Sequence, residues 1–178
     1  VELPLGWYNE AGGALAMSPG YDRPAPLDFR RKISTDCMFC HNGYPAGPDA
    51  PSLEPVFPES LPEGIDCQRC HGPGSLHIAA AGKGGIVNPA KLTPERGLEV
   101  CMQCHLETTS SPLPNALLRA GRAPFSYRPG EPLADFILHF DHAPSANRAD
   151  KFEIVNSAYH LRQSRCFTAS PGKLTCTT

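Results

Sequence analysis

The sequence predicts a mainly α chain of short helices set in much irregular loop, with few or no strands. Three observations carry this expectation. Pro (20) and Gly (16) together make about a fifth of the 178 residues, a composition of many turns and few long elements. Leu, Ile, Val and Phe number only 36, again about a fifth of the chain, so side chains alone give a thin core and a metal, disulfides or a cofactor must add to it. Third, six of the eight cysteines fall in pairs, Cys37/Cys40, Cys67/Cys70 and Cys101/Cys104, each followed at once by a histidine. Positions i, i+3 and i+4 share one face of a helical turn, so each set asks for a short helix.

Charge and hydropathy remove other classes. A formal net charge of −2 gives no electrostatic footprint for nucleic acid. Arg30-Arg31-Lys32 is the one basic cluster and reads as a solvated loop. No run of 18 apolar residues exists, which leaves no expected membrane span. Neither a P-loop, a dinucleotide fingerprint nor a catalytic triad is present.

The three sets read CMFCH, CQRCH and CMQCH, and C-x-x-C-H is the attachment signature of c-type haem. Two thiols form thioether links to one haem, and the histidine beside them ligates its iron from the proximal side. Cys37, Cys40, Cys67, Cys70, Cys101 and Cys104 are therefore expected to hold three haems, with His41, His71 and His105 as proximal ligands. The rival is zinc, which also uses C-x-x-C pairs, two converging on one tetrahedral ion. Zinc gives no reason for a histidine after every pair, a coincidence that chance yields on the order of once in ten thousand at this His content. A disulfide scaffold fits less well still, since adjacent C-x-x-C thiols suit a single redox motif.

Local signals place each element in turn. Ser34 and Thr35 are cap candidates before the first set, and Asn42-Gly43 stops it. Gly72-Pro73-Gly74 ends the second. A further helix is expected through SLHIAAAGKGG, closing at the glycines. The best-signalled helix precedes the third set, where Thr93 caps, Pro94 takes the first turn and Glu95 suits the positive end, with Gly97 a mild cost. Leu113 to Pro132 is Pro-rich and expected as loop around haem edges. LADFILHFDHAP is an apolar stretch with two histidines, and DKFEIVNSAYHLRQSRCF fits strand or helix equally. The sets start 30 and 34 residues apart, a loose repeat rather than a solenoid period. No domain boundary is visible, so residues 1–178 are expected to form a single cytochrome domain.

Distal ligands are expected among His77, His139, His142 and His160, since Met38 and Met102 lie inside attachment loops and only Met17 is otherwise available. Bis-His iron and low potentials follow. His77 is six residues after His71, too short a path around one haem, so a neighbouring haem is its expected partner, with a hydrogen bond beside a propionate as the alternative. One of His139 and His142 is expected to ligate; His160 fits a surface role as well as a ligand. Arg69, inside the second attachment loop, is expected to pair a haem propionate.

The stretch GIDCQRCHGPGSLH resembles an element of multihaem cytochromes related to cytochrome c-554. ELPLGWYNEAGGALAMSPGYDRP, DCMFCHNGYP, NPAKLTPERGLEVCMQCHLETTS and LHFDHAP are similar to a group of bacterial multihaem proteins in which tetratricopeptide repeats often follow. The resemblance spans nearly the whole chain and implies a multihaem cytochrome c architecture of short helices around stacked haems. It also implies that Cys176 begins a further, interrupted attachment motif and a fourth haem, and that the chain is an internal fragment lacking both termini. Cys166 is then left over, and a Cys166–Cys176 disulfide is the alternative. The implied function is electron transfer with redox partner proteins. A redox enzyme acting on a small nitrogen or sulfur compound at a five-coordinate haem is the runner-up, and a zinc-binding structural module the third reading. Haem c chemistry places the protein in the periplasm or otherwise outside the cytoplasm of a bacterium.

Overall fold

The structure is a computed structural model, and it describes residues 1–25, 29–44, 57, 61–106, 116–140 and 157–178. Two compact units are present, Val1–Met38 and Phe39–Thr178.

In the first unit, β1 (Leu5–Tyr8) and β2 (Ala14–Met17) pair antiparallel, with Leu5 opposite Met17 and Tyr8 opposite Ala14. A single 3-10 turn, Glu10–Gly12, joins them. Gly13 enters β2 at φ +85° and ψ 128°, a region closed to side chains. A Cβ there would also stand 2.2 Å from the Trp7 ring. Gly13→Ala is therefore expected to destabilise the hairpin by about 1–3 kcal/mol. Hydrogen exchange of the β1 and β2 amides should quicken by about tenfold or more; unchanged protection would contradict the role given to Gly13.

Polar contacts close this unit. Ser18 Oγ donates to the Leu3 carbonyl (2.9 Å) and Tyr21 OH to the Glu2 carbonyl (3.2 Å). Arg31 pairs with Glu2 at 2.5 Å, and its guanidinium lies 5.2 Å from the Tyr21 ring centre. Arg31 is thus a structural tie and not the freely solvated loop cation its sequence context suggested.

The second unit is built around α4 (Pro94–His105) and an aromatic cluster. Thr93 Oγ1 accepts from Arg96 N, with Pro94 at the first helical position, as the sequence reading expects. The helix buries Leu98, Val100, Met102 and Gln103. It packs against α5 (Ser157–Gln163), against the 3-10 turn Pro89–Lys91, and against the turn Leu133–Asp135. Phe136 and Tyr127 are fully buried with ring centres 5.5 Å apart, and Phe39 stands 5.6 Å from Phe136 and 5.7 Å from Phe125. The loop before Phe136 is fastened by Arg122, whose Nη2 and Nη1 both reach Glu131 (2.5 and 3.2 Å). Burial alone would raise the Glu131 carboxyl, but bonds from Arg122 and the Arg128 N–H outweigh it and hold the group below its ordinary range.

The remaining helices are short: α1 (Thr35–His41), α2 (Gln68–His71), α3 (Ser75–Ala79) and α6 (Arg165–Thr168). A second antiparallel pair joins β3 (Ala116–Leu118) to β4 (Ile137–His139), with Ala116 opposite His139. Among the described residues the fold is therefore mixed: six short helices and two two-stranded sheets in irregular chain. One expectation needs correction. Residues 116–118 of the expected loop form a strand, because Ala116-Leu117-Leu118 finds a partner in Ile137-Leu138-His139. The segment from Ser157 is helical where periodicity left strand or helix open. Among the described residues no helix is long and apolar enough to cross a membrane.

Candidate cofactor-attachment sites

Each C-x-x-C-H set sits on a helical turn. Around the first, Ser34 Oγ accepts from Cys37 N (3.4 Å), so Ser34 serves as the cap, and α1 carries Cys37, Cys40 and His41. The division between the two units falls inside this helix, after Met38. In the second set, Asp66 Oδ1 accepts from Gln68 N (3.1 Å), and Cys67 already has helical φ and ψ of −58° and −31°. His71 N then donates to the Cys67 carbonyl (3.0 Å), which closes the turn that puts Cys67, Cys70 and His71 on one face. The third set is the last turn of α4, ending at His105.

The middle residues of these sets were given no joint role by sequence reasoning. The second variable residue of every pair is buried: Phe39, Arg69 and Gln103 are 7%, 2% and 6% exposed. They touch one another through the backbone. Arg69 Nη2 donates to the Phe39 carbonyl (2.7 Å), and Gln103 Nε2 donates to the Arg69 carbonyl (2.9 Å). The Arg69 guanidinium lies 4.2 Å from the Phe39 ring centre, 5.1 Å from Tyr44 and 5.5 Å from Phe125. Arg69 therefore turns into an aromatic cage.

None of the eight cysteines is in a disulfide. Burial raises the Cys70 thiol above its ordinary value, neighbouring Cys104 adds to this, and Arg69 opposes it. Cys101 is pushed up to about 11, first by burial and then by Cys176, which shares a hydrogen bond with it. The C-terminal Cys176 thus lies beside the third set, whereas Cys166 is exposed on α6.

The histidines divide by what holds their rings. His71 Nδ1 is bonded to the Val87 carbonyl (2.8 Å) and His77 Nδ1 to the Gly84 carbonyl (2.8 Å). A ring whose Nδ1–H is donated to a carbonyl presents Nε2 as its lone-pair donor, the arrangement that orients imidazole toward a metal. For His77 this needs the chain after α3 to fold back closely. Gly85 allows it at φ +69°, where a Cβ would stand 3.0 Å from Leu76 backbone. His41 and His105 are exposed at their helix ends. His139 is half-buried on β4, and burial, with Arg162 nearby, lowers its pKa to about 4, so the ring is neutral. Its place on a strand removes the helical face that would have joined it to His142, which lies outside the described residues. His160 is on α5, its ring 5.7 Å from that of Tyr159.

The thiols and imidazoles present fit a haem. Among the described residues no three His, Cys, Asp or Glu side chains converge where an ion would need them. A haem asks less of the protein, because the porphyrin supplies four of the iron's donors and the chain supplies thiols and axial imidazoles. Around His71 and His77, moreover, apolar side chains stand in the open: Ile65, Leu76, Ile78 and Ile86 are all exposed. Apolar surface of this kind is what a flat, largely hydrophobic group covers. Comparison with protein-family models, curated proteins and solved structures finds no match to the chain.

Proposed function

We propose that the chain transfers electrons as a multihaem c-type cytochrome, similar to the cytochrome c-554-like family, with three covalently held haems. The observation that most supports this reading is the second set, where Cys67, Cys70 and His71 share one turn and His71 Nδ1 is already engaged by the Val87 carbonyl. Cys37 and Cys40, Cys67 and Cys70, and Cys101 and Cys104 would hold the haems, with His41, His71 and His105 as proximal ligands. His77, whose ring is oriented like that of His71, is the leading distal ligand, with His139 and His142 as the others. When bound, each haem supplies a reversible one-electron iron couple.

The chain's own part is orientation of the imidazoles. Backbone carbonyls of Val87 and Gly84 fix two imidazoles, and burial keeps His139 neutral and able to ligate. Haem c is attached outside the cytoplasm, so the protein is placed in the periplasm or another extracytoplasmic space. A net charge of −2 before propionates are counted favours a redox partner with a basic docking face.

The test is a haem count on protein from a host that matures c-type cytochromes. A Soret band and a pyridine haemochrome value of three haems per chain are expected, with low-spin ferric spectra. A colourless folded product, or zinc bound in proportion to the chain, overturns the reading. A high-spin ferric signal would transfer weight to a redox enzyme acting on a small nitrogen or sulfur compound.

A further inference from the structure

The three attachment loops are alike in sequence but not in charge. At the second variable position the first carries Phe39 and the third Gln103, both neutral, while the second carries Arg69. All three side chains are buried and joined as described, so position alone does not explain an arginine. A neutral side chain would link the loops without removing a charge from water, which is expensive when no counter-ion accompanies it. Arg69 has none among the described residues: no carboxylate there forms an ion pair with it, and its Nε and Nη1 find no hydrogen-bond partner. Its environment is one carbonyl and three aromatic faces.

A guanidinium keeps its charge at any pH at which proteins work. This one lies between Cys67 and Cys70 and two residues before His71, within one turn of helix. A buried positive charge lowers the energy of placing an electron nearby. Resting on the cytochrome reading above, we propose that Arg69 raises the reduction potential of the haem held by Cys67, Cys70 and His71 above those of the other two. That site then becomes the place in the row where an electron comes to rest. The electron arrives from a reduced one-electron donor protein; no bond is made or broken.

Potentiometric titration of the holoprotein tests this, with dithionite as reductant and ferricyanide as oxidant, followed at the haem α-band. In the wild-type protein one of three midpoints is expected above the others. Arg69→Met should shift that midpoint downward and leave the other two in place, while Arg69→Lys, which keeps the charge, should stay close to wild type. Superimposable titrations of wild type and Arg69→Met overturn the proposal yet leave three haems counted, so the cytochrome reading survives. Absence of haem from the wild-type protein overturns both, and the haem count tells the two failures apart. Arg69→Gln keeps an N–H for the Phe39 carbonyl and is expected to give the same downward shift if Arg69→Met does not accumulate. Should neither neutral variant accumulate as holoprotein, Arg69 governs assembly instead, and the proposal is overturned.

Discussion

Changing Cys67 and Cys70 together to alanine is expected to reduce covalently bound haem from three per chain to two. Mass spectrometry of the intact chain should record the loss of one haem, and the Soret absorbance should fall by about a third. The second loop is the one whose loss should be felt most widely. Its Arg69 side chain holds the Phe39 carbonyl and its Arg69 carbonyl holds Gln103, so it ties to both of the other loops. Stability is therefore expected to fall along with the haem count, because a covalently held haem buries apolar surface only in the folded state. A variant that still carries three haems would overturn the assignment of Cys67 and Cys70. Unchanged thermal stability after loss of one haem would contradict the central place given to this loop.

The second large effect is expected at Phe136, which is fully buried against Phe39 and Tyr127, with the Arg122 guanidinium 5.1 Å from its ring centre. Phe136→Ala removes most of a ring from a site closed on all sides. Truncations of this kind cost about 3–5 kcal/mol, against a total stability of about 5–15 kcal/mol for a domain. The denaturant midpoint should move down accordingly, and much of the variant should fail to accumulate. Phe136→Leu, which conserves more volume, is expected to lose less than half as much. If the alanine variant unfolds at the wild-type midpoint, Phe136 is not at the centre of this core.

Local chemistry made some elements legible and left others hidden. Thr93, Pro94 and Glu95 announced α4 because caps act within one turn and need no partner elsewhere in the chain. Gly97, which looked like a mild defect there, sits where a Cβ would stand 3.2 Å from the Pro89 carbonyl, and that contact belongs to packing beyond the helix. The β1–β2 hairpin gave little warning, since its strands are four residues each and mostly exposed, without the alternation that burial of one face imposes. β3 and β4 escaped notice for a related reason: three residues become a strand only once a distant partner is in register. In the candidate site, cysteines and histidines could be read from spacing alone. The burial of Phe39, Arg69 and Gln103 could not, because it depends on three segments meeting. Their shared position within the three sets was the one signal present. The carbonyls that orient His71 and His77 were equally invisible, since any residue supplies a carbonyl and only the fold decides which one is near.

The hairpin also gives the molecule a built-in optical label. Trp7 is the chain's single tryptophan; it is 65% exposed and leans against the backbone at Gly13. Before any haem is attached, indole emission therefore originates wholly in the first unit, at the red-shifted wavelength of a wet ring, and its change on heating follows the opening of β1 from β2. Hydrogen exchange of the α4 amides follows the second unit. Two records from one sample would thus time the two units separately, without attaching a dye.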